Sequence, residues 1–293
     1  MTEGSVERKL VFSGDLGQPD RPVVRDPVLI ENADILLMES TYGNRLHKSM
    51  DTTEDELVSA INDTIGHKGG NVIIPAFAVG RTQEILYVLS DLMRRERISR
   101  EIHIYVDSPM ATRASELTLK HYELTDESAQ EQLEWHEERG NKQNIRFTGS
   151  VEESIMLNNI RGGAIIISAS GMCDAGRIKH HLKHNLSRHE CSILISGFQA
   201  QGTLGRRLVD GARKVRLFGQ DVPVRAQIYT IGGLSAHADQ EALMGWLHAF
   251  KQPPARTFVV HGEASTALGF ADLIRTRFNW QVEVPERGLS VDI

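Results

Sequence analysis

The 293-residue sequence lacks the features that mark exported, membrane-spanning or disulfide-stabilised proteins. Its two cysteines, Cys173 and Cys191, are too few for a disulfide framework and do not form a C-x-x-C pair. No apolar run approaches the length of about 18 residues that spans a bilayer. The first residues, MTEGSVERKLVF, do not contain the apolar segment that a secretory signal requires. We therefore expect reduced cysteines, no membrane association and a cytoplasmic protein.

The sequence also has no excess of positive charge. Its 33 Lys and Arg residues stand against 39 Asp and Glu residues, for a formal net charge of −6. This balance argues against binding nucleic acid through overall charge, although a local basic groove remains possible. The length is sufficient for a large core and predicts two compact units.

The middle of the chain repeats one structural pattern. An apolar, β-branched stretch passes through a short loop of small residues into an amphipathic helical pattern. This order occurs four times, in residues 71–93, 102–119, 164–186 and 191–209. Continuous apolar strands that alternate with helices are typical of a parallel sheet covered on both faces. We predict a Rossmann-like α/β layer structure here.

The two ends of the chain place acidic and histidine residues after short apolar strands. Asp15 lies in SGDLG, Glu39 in ESTYG, His237 in SAHAD and His261 in VVHGE. Carboxylates and imidazoles at strand ends are the residue types of a metal site. Because both ends share this layout and the middle lacks it, we expect an α/β insert within a second unit that both ends build.

Six motifs in a fixed order resemble the β-CASP branch of the metallo-β-lactamase superfamily, whose members include RNA-processing zinc nucleases. They are FSGDLG, ESTYGNR, ASGMCDAGRIKHHL, ISGFQAQGTLGRRL, SAHADQ and VVHGE. The resemblance covers essentially the whole chain. It implies an α/β fold class, a partial metallo-β-lactamase αββα unit with an inserted Rossmann-like parallel α/β domain. The implied domains are 1–44 for the C-terminal strands of the first half of the metallo-β-lactamase domain, 45–208 for the β-CASP insert and 209–293 for the C-terminal metallo-β-lactamase portion with its RNA-specificity segment.

The resemblance also implies roles for the four residues at the ends of the chain. Asp15 is similar to the carboxylate that bridges two zinc ions, and His261 to a terminal ligand of one zinc. Glu39 and His237 resemble the family's hydrogen-bonded pair beside the scissile phosphate, with His237 as the proton donor. The chemistry fits these roles, because a carboxylate has two oxygens that can reach two ions whereas a neutral imidazole binds one.

One part of the family pattern is absent from this sequence. Family members carry an H-x-H-x-D-H cluster and a further histidine ligand ahead of the position of Asp15. The 14 residues before Asp15 contain no histidine. We therefore expect two zinc ions in a complete protein, an incomplete site here, and a truncated chain that is catalytically incomplete by itself. The expected protein partner is either a second copy of this chain, in a homo-oligomer, or a missing N-terminal segment.

Four residues of the insert are candidate substrate contacts. Arg81, Arg177 and Lys179 stand at predicted helix starts after turns that contain Gly or Ser, and Ser170 lies in the same turn as Arg177. Free backbone N–H groups and the helix dipole attract phosphate at such positions. Taken singly, each could be ordinary surface charge. Together they favour a basic lining for substrate.

Two further segments of the insert have a structural and a functional interpretation. His180 and His184 lie one helical turn apart and could bind a metal, but with no third ligand in view a solvated or phosphate-facing helix is expected. Asp107 and Ser108 are expected to cap the following helix.

Two function classes stay open at this point. The first is a zinc-dependent hydrolase that cleaves RNA phosphodiesters by two-metal catalysis in its full-length form, with single-stranded RNA as substrate. A histidine at the position of His261 accompanies the RNA-acting members of the family. The second is a non-catalytic RNA-binding or scaffold partner of an active β-CASP nuclease.

Overall fold

A computed structural model describes residues 2–3, 6–130 and 144–291 of the chain, with side chains from residue 7. Two compact units form. The smaller contains residues 1–21, 26–47 and 236–293, and the larger contains residues 22–25 and 48–235. No helix among the described residues is both long and apolar enough to cross a bilayer.

A four-stranded parallel sheet forms the centre of the smaller unit. Its strands in spatial order are β14 (Val282–Glu283), β13 (Arg256–Val260), β4 (Ile35–Glu39) and β3 (Leu10–Phe12). The helices Gln240–His248 and Ala264–Phe278 cover one face of this sheet, where Leu36, Met38 and Val259 pack against Phe270. The other face carries Leu10, Leu37 and Phe12, which is 66% exposed. Residues 2–3 and 6–7 form a short antiparallel pair, β1 and β2.

A six-stranded parallel sheet forms the core of the larger unit. In spatial order its strands are β12 (Gln227–Thr230), β9 (Ser192–Ile195), β5 (Val72–Pro75), β8 (Ala164–Ser168), β6 (His103–Val106) and β7 (Ile145–Phe147). Successive residues of each strand face opposite sides, so Ile74 and Ile165 pack in one apolar cluster and Ile73 and Ile166 in another. Both faces are therefore covered, which confirms the predicted parallel α/β layer structure.

The helices of the larger unit follow the strands in the predicted order. Their bounds are Met50–Ile61, Arg81–Arg94, Pro109–Lys120, Val151–Leu157, Ile178–Asn185 and Leu204–Val209. A π-helical turn at Asn62–His67 and 3₁₀ turns at Tyr122–Leu124 and Gly232–Leu234 complete the helical segments described. An antiparallel hairpin, β10 (Lys214–Leu217) and β11 (Gln220–Pro223), precedes β12.

The two compact units differ from the domains predicted from the sequence near residue 208. Strand β12 pairs in parallel with β9, so residues 227–230 lie in the larger unit although the sequence division assigns them to the C-terminal segment. Pairing between strands distant in sequence decides this placement, and no local pattern reveals it. The division into domain types at residues 44 and 208 stays a prediction.

Candidate metal and catalytic site

Three of the four predicted site residues lie at one edge of the smaller sheet. Strands β3, β4 and β13 run parallel, and Asp15 follows β3, Glu39 ends β4 and His261 follows β13. The carboxyl ends of parallel strands meet at the same edge, so 246 residues of chain separate Asp15 from His261 but only 3.4 Å separates Oδ1 of Asp15 from Nδ1 of His261. Both side chains are more than half exposed.

The backbone at His261 is held in an uncommon conformation. Its φ of +53° lies in the left-handed region, which costs free energy for any residue other than glycine and concentrates at functional sites. The carbonyl of His261 accepts hydrogen bonds from Ser40 N at 3.4 Å and from Thr41 Oγ1 at 3.1 Å. A Cβ on the next residue, Gly262, would come within 2.4 Å of Ser40 Oγ, so only glycine lets this turn sit against β4.

Glu39 and His237 form a hydrogen-bonded pair, as the resemblance implies. His237 Nδ1 lies 3.2 Å from Oε1 and 3.1 Å from Oε2 of Glu39. The Glu39 carboxylate is 1% exposed and also accepts from the backbone N–H of Leu16 at 2.6 Å and of Thr41 at 3.3 Å. Burial would raise the pKa of Glu39, but the hydrogen bond and charge of His237, with the bonds from Thr41 and Leu16, hold this pKa below its usual value.

These contacts show which nitrogen of His237 carries a hydrogen that Glu39 accepts. An ionised Glu39 can only accept hydrogen bonds, so Nδ1 of His237 must carry a hydrogen. The side chain is 24% exposed, and its ring stacks against the ring of His261 with 5.8 Å between centroids.

Sequence reasoning missed the residues that position the loop of His237. His47 Nε2 donates to the carbonyl of His237 at 2.9 Å. Asp239 caps the helix Gln240–His248 by accepting from Ala242 N, and its second oxygen accepts from the backbone N–H of His47 at 2.9 Å. The sequence signals were the position of His47 just after the ESTYGNR motif and that of Asp239 within the SAHADQ motif.

Asp15, His237 and His261 make up the one group of donors that could hold a metal ion within the described ranges. One ligand atom from each of the three lies within 4.8 Å of the others. A carboxylate and two imidazoles suit zinc, and three protein ligands is the number that a catalytic zinc takes. These residues therefore fit one zinc, whereas two ions need more donors than this group contains.

The candidate substrate contacts of the insert occupy different surroundings. Arg81 is 6% exposed and pairs through Nη1 with Glu84 Oε2 at 2.7 Å. Ser170 is half-buried in the loop after β8. Arg177 is 21% exposed, and Lys179 points to the ring of Phe218. Contact of these four residues with substrate stays a prediction.

The expected role of Asp107 as a helix cap is wrong, whereas that of Ser108 is confirmed. Ser108 Oγ accepts from Ala111 N at the start of the helix Pro109–Lys120. Asp107 is fully buried, and its carboxylate accepts from Arg177 NH1 at 2.8 Å and from His181 Nε2 at 2.6 Å. The side chain points into the core at the end of β6, so it cannot reach the helix start.

Comparisons with known proteins agree with the motifs and the fold. Residues 82–208 match the Beta-Casp domain, and residues 221–285 match the Zn-dependent metallo-hydrolase RNA specificity domain. Ribonuclease TTHA0252 of Thermus thermophilus is 38% identical over 92% of this chain, which covers 61% of that protein. An RNase J-like protein of Methanocaldococcus jannaschii is 30% identical over 98% of this chain, covering 66% of that protein.

Transcription termination factor FttA of Thermococcus kodakarensis is 34% identical over 85% of this chain, which covers 39% of that protein. The chain thus spans less than two thirds of the length of each of these relatives. The ordered motifs, the parallel sheets and the two domain matches together show that the chain belongs to the β-CASP branch of the metallo-β-lactamase superfamily, a family that includes RNA-processing metallo-hydrolases.

Proposed function

We propose that this chain supplies the proton-donating pair and part of the zinc site of a hydrolase that cleaves RNA phosphodiester bonds. The observation that carries the proposal is the position of His237. Its Nδ1 is held by the buried Glu39 carboxylate, while a ligand atom of His237 lies within 4.8 Å of those of Asp15 and His261. A proton donor thus lies next to metal-binding groups, as phosphodiester cleavage requires.

In this proposal Asp15 and His261 hold the metal. Zinc, when bound, would neutralise charge on the phosphoryl oxygens and lower the pKa of a water molecule that it binds. The match to a Zn-dependent metallo-hydrolase domain supports this choice of metal. With His237 as the proton donor, Asp15 and His261 are two ligands, so the first ion needs at least one more ligand and a second ion needs further ones.

His237 could serve either as the proton donor or as a zinc ligand. A histidine that binds zinc through one nitrogen commonly donates its other N–H to a carboxylate, which is the geometry seen with Glu39. We assign the donor role because the Glu39 carboxylate is almost fully buried, and a buried negative charge needs a paired positive charge. A protonated His237 supplies that charge and presents Nε2–H to the departing oxygen of the substrate.

RNA is the proposed substrate because the match over residues 221–285 is to an RNA specificity domain and one relative is named a ribonuclease. Single-stranded RNA is the form that we propose. Arg177 and Lys179, at the start of one helix, and Ser170 are the proposed phosphate contacts. Arg81 is paired with Glu84 and Arg177 with Asp107, so each would contact phosphate only by sharing or leaving its ion pair.

A non-catalytic, RNA-binding scaffold is the second candidate. The number of donors favours it, since Asp15, His237 and His261 suffice for one zinc and the family reaction uses two. A protein of this class would keep the fold and bind RNA without cleaving it.

Equilibrium dialysis against zinc, followed by elemental analysis, separates these roles. Asp15→Ala and His261→Ala should each weaken zinc binding by about tenfold or more, because each removes a ligand. His237→Ala should leave zinc affinity within about twofold of the wild type if His237 is the proton donor. His67→Ala is the matched control, because the His67 side chain is 81% exposed.

Equal losses of zinc in His237→Ala and His261→Ala would make His237 a ligand and remove its assignment as proton donor. Cleavage of an end-labelled single-stranded RNA tests the hydrolase itself, at saturating zinc and with a separate polypeptide that carries the family's H-x-H-x-D-H cluster. There His237→Ala should lower the rate by about 100-fold or more. RNA binding without cleavage by the wild type would favour the scaffold candidate.

A further inference from the structure

An exposed phenylalanine occupies the tip of the β10–β11 hairpin in the larger unit. Leu217 pairs with Gln220, so the loop consists of Phe218 and Gly219 alone. Both have positive φ, +50° and +77°, which is the type I′ turn that favours Asn-Gly. A bulky aromatic residue at positive φ is strained, and the ring stays 48% exposed. Neither turn geometry nor core packing accounts for phenylalanine at this position.

Three basic side chains surround this ring, and all come from the helix Ile178–Asn185. Lys179 Nζ lies 5.3 Å and Lys183 Nζ 5.9 Å from the ring centroid of Phe218. The His180 ring lies 4.4 Å away between centroids, tilted by 30°. Residues 179, 180 and 183 share a helix face because they are spaced by three and four residues. The helix and the hairpin tip thus present an aromatic ring within a basic surface.

The positive charge of this surface is not neutralised within the part of the chain that the structure describes. Lys214, on the same hairpin, pairs with Asp221 at 2.9 Å, but Lys179 and Lys183 form no such ion pair there. The neighbouring His184 responds to this environment. Burial lowers the pKa of His184, and the charge of Lys183 lowers it further.

We propose that Lys179, His180, Lys183 and Phe218 form an RNA-contact surface of the larger unit, on which a base of single-stranded RNA stacks on Phe218 while the lysines contact the flanking phosphates. The identification of the nucleic acid as RNA rests on the proposed function. An acidic peptide would use the two lysines but would leave the exposed ring unexplained, whereas single-stranded RNA uses both. Every base has a π-face, so this surface should bind without sequence preference.

Substitution of Phe218 by asparagine separates binding from folding. Asparagine suits the turn, so Phe218→Asn should keep or raise the urea midpoint of unfolding. The same variant should bind a fluorescein-labelled RNA of 20 uridines about 5- to 100-fold more weakly by fluorescence anisotropy, because it loses a stacking platform. Phe218→Trp should restore the affinity to within about twofold of the wild type. Tyr122→Ala, at a tyrosine that is 43% exposed in the same unit, should not change it.

The salt dependence of RNA binding tests the role of Lys179 and Lys183. Replacing both Lys179 and Lys183 by glutamine should reduce the slope of log K against log salt concentration by about 1.4, since each phosphate contact with a single strand contributes about 0.7. Unchanged affinity in Phe218→Asn, while the wild type binds RNA, would overturn this inference and leave the proposed function standing. Equal competition by a 20-residue oligoglutamate would assign the surface to an acidic partner and also overturn it. Absence of RNA binding by the wild type would refute both this surface and the proposed substrate.

Discussion

Replacing Asp107 by asparagine should destabilise the larger unit strongly. The carboxylate is fully buried and accepts from four donors, two on each oxygen: Thr148 and Arg177 on Oδ1, Ser154 and His181 on Oδ2. A carboxylate has about four lone-pair sites, so its acceptor capacity is filled. An asparagine amide would turn one of these acceptors into a donor that faces other donors. The Arg177 guanidinium would also lose its counter-charge.

The magnitude of this destabilisation depends on how deeply Asp107 and its partners are buried. Breaking a buried ion pair by removing one partner costs about 3–5 kcal/mol. Arg177 is 21% exposed and the hydroxyls of Thr148 and Ser154 can rotate, so part of the loss is recovered. We expect a decrease of about 3 kcal/mol in the free energy of unfolding, or about 1.5 M in the urea midpoint if the denaturant slope is about 2 kcal/mol/M.

The effect should also depend on pH in a defined direction. Burial would raise the pKa of Asp107, but hydrogen bonds from His181, Ser154, Thr148 and Arg177 hold it well below its usual value. A depressed pKa contributes stability above the unfolded-state pKa, which is about 3.9, and this contribution is lost as the pH falls towards the folded-state pKa. The difference between wild type and Asp107→Asn should therefore be present at pH 7 and shrink below about pH 4.

Urea unfolding followed by circular dichroism measures the difference, and hydrogen exchange of peptides from β6 and β8 shows where stability is lost. Asp55→Asn is the matched control, since Asp55 pairs with Arg97 at 2.7 Å in the same unit but is 70% exposed. Exposed pairs contribute at most about 1 kcal/mol. If Asp107→Asn shifts the midpoint no more than this control does, the desolvation cost of the buried carboxylate cancels its four hydrogen bonds and the expected magnitude is refuted.

Two further predictions concern the smaller unit. Gly262→Ala should lower the free energy of unfolding by about 1–3 kcal/mol and weaken zinc binding, because its Cβ would lie 2.4 Å from Ser40 Oγ beside His261. Gly245→Ala is the control, because Gly245 lies in a helix and a Cβ built on it would have no atom within 4 Å. It should raise the free energy of unfolding by about 0.5–1 kcal/mol. Equal effects of the two substitutions in urea unfolding would show that the close approach at Gly262 does not affect stability. Glu39→Gln should flatten the decline of stability at acid pH, because the lowered pKa of Glu39 contributes stability that is lost as the pH falls below about 4.3; parallel pH profiles of the two proteins would contradict this.

Local sequence was sufficient for the order of elements, and the motifs predicted one contact of the candidate site. The apolar runs that form β5, β8 and β9 are each followed by an amphipathic stretch. The hydrophobic periodicity that distinguishes a strand from a helix depends only on neighbouring residues, so the sequence contains it. The motifs around Glu39 and His237 predicted their hydrogen bond through resemblance, and the two side chains do meet across 198 positions of sequence. Their catalytic roles stay predictions, because a contact between two side chains does not establish what they do.

The tertiary structure alone decided which polar residues are buried and paired. Asp107 follows a strand in a loop of the kind that holds a helix cap, yet its carboxylate accepts from His181, 74 positions away. Arg81 is a different case, because it begins a helix and pairs with Glu84 three residues later, a spacing that the sequence itself contains. His47 reaches a carbonyl 190 positions away, and Phe218 at a hairpin tip meets Lys179 on a helix. Such contacts depend on how strands and helices pack, and periodicity within one segment carries no information about the partner that another segment brings.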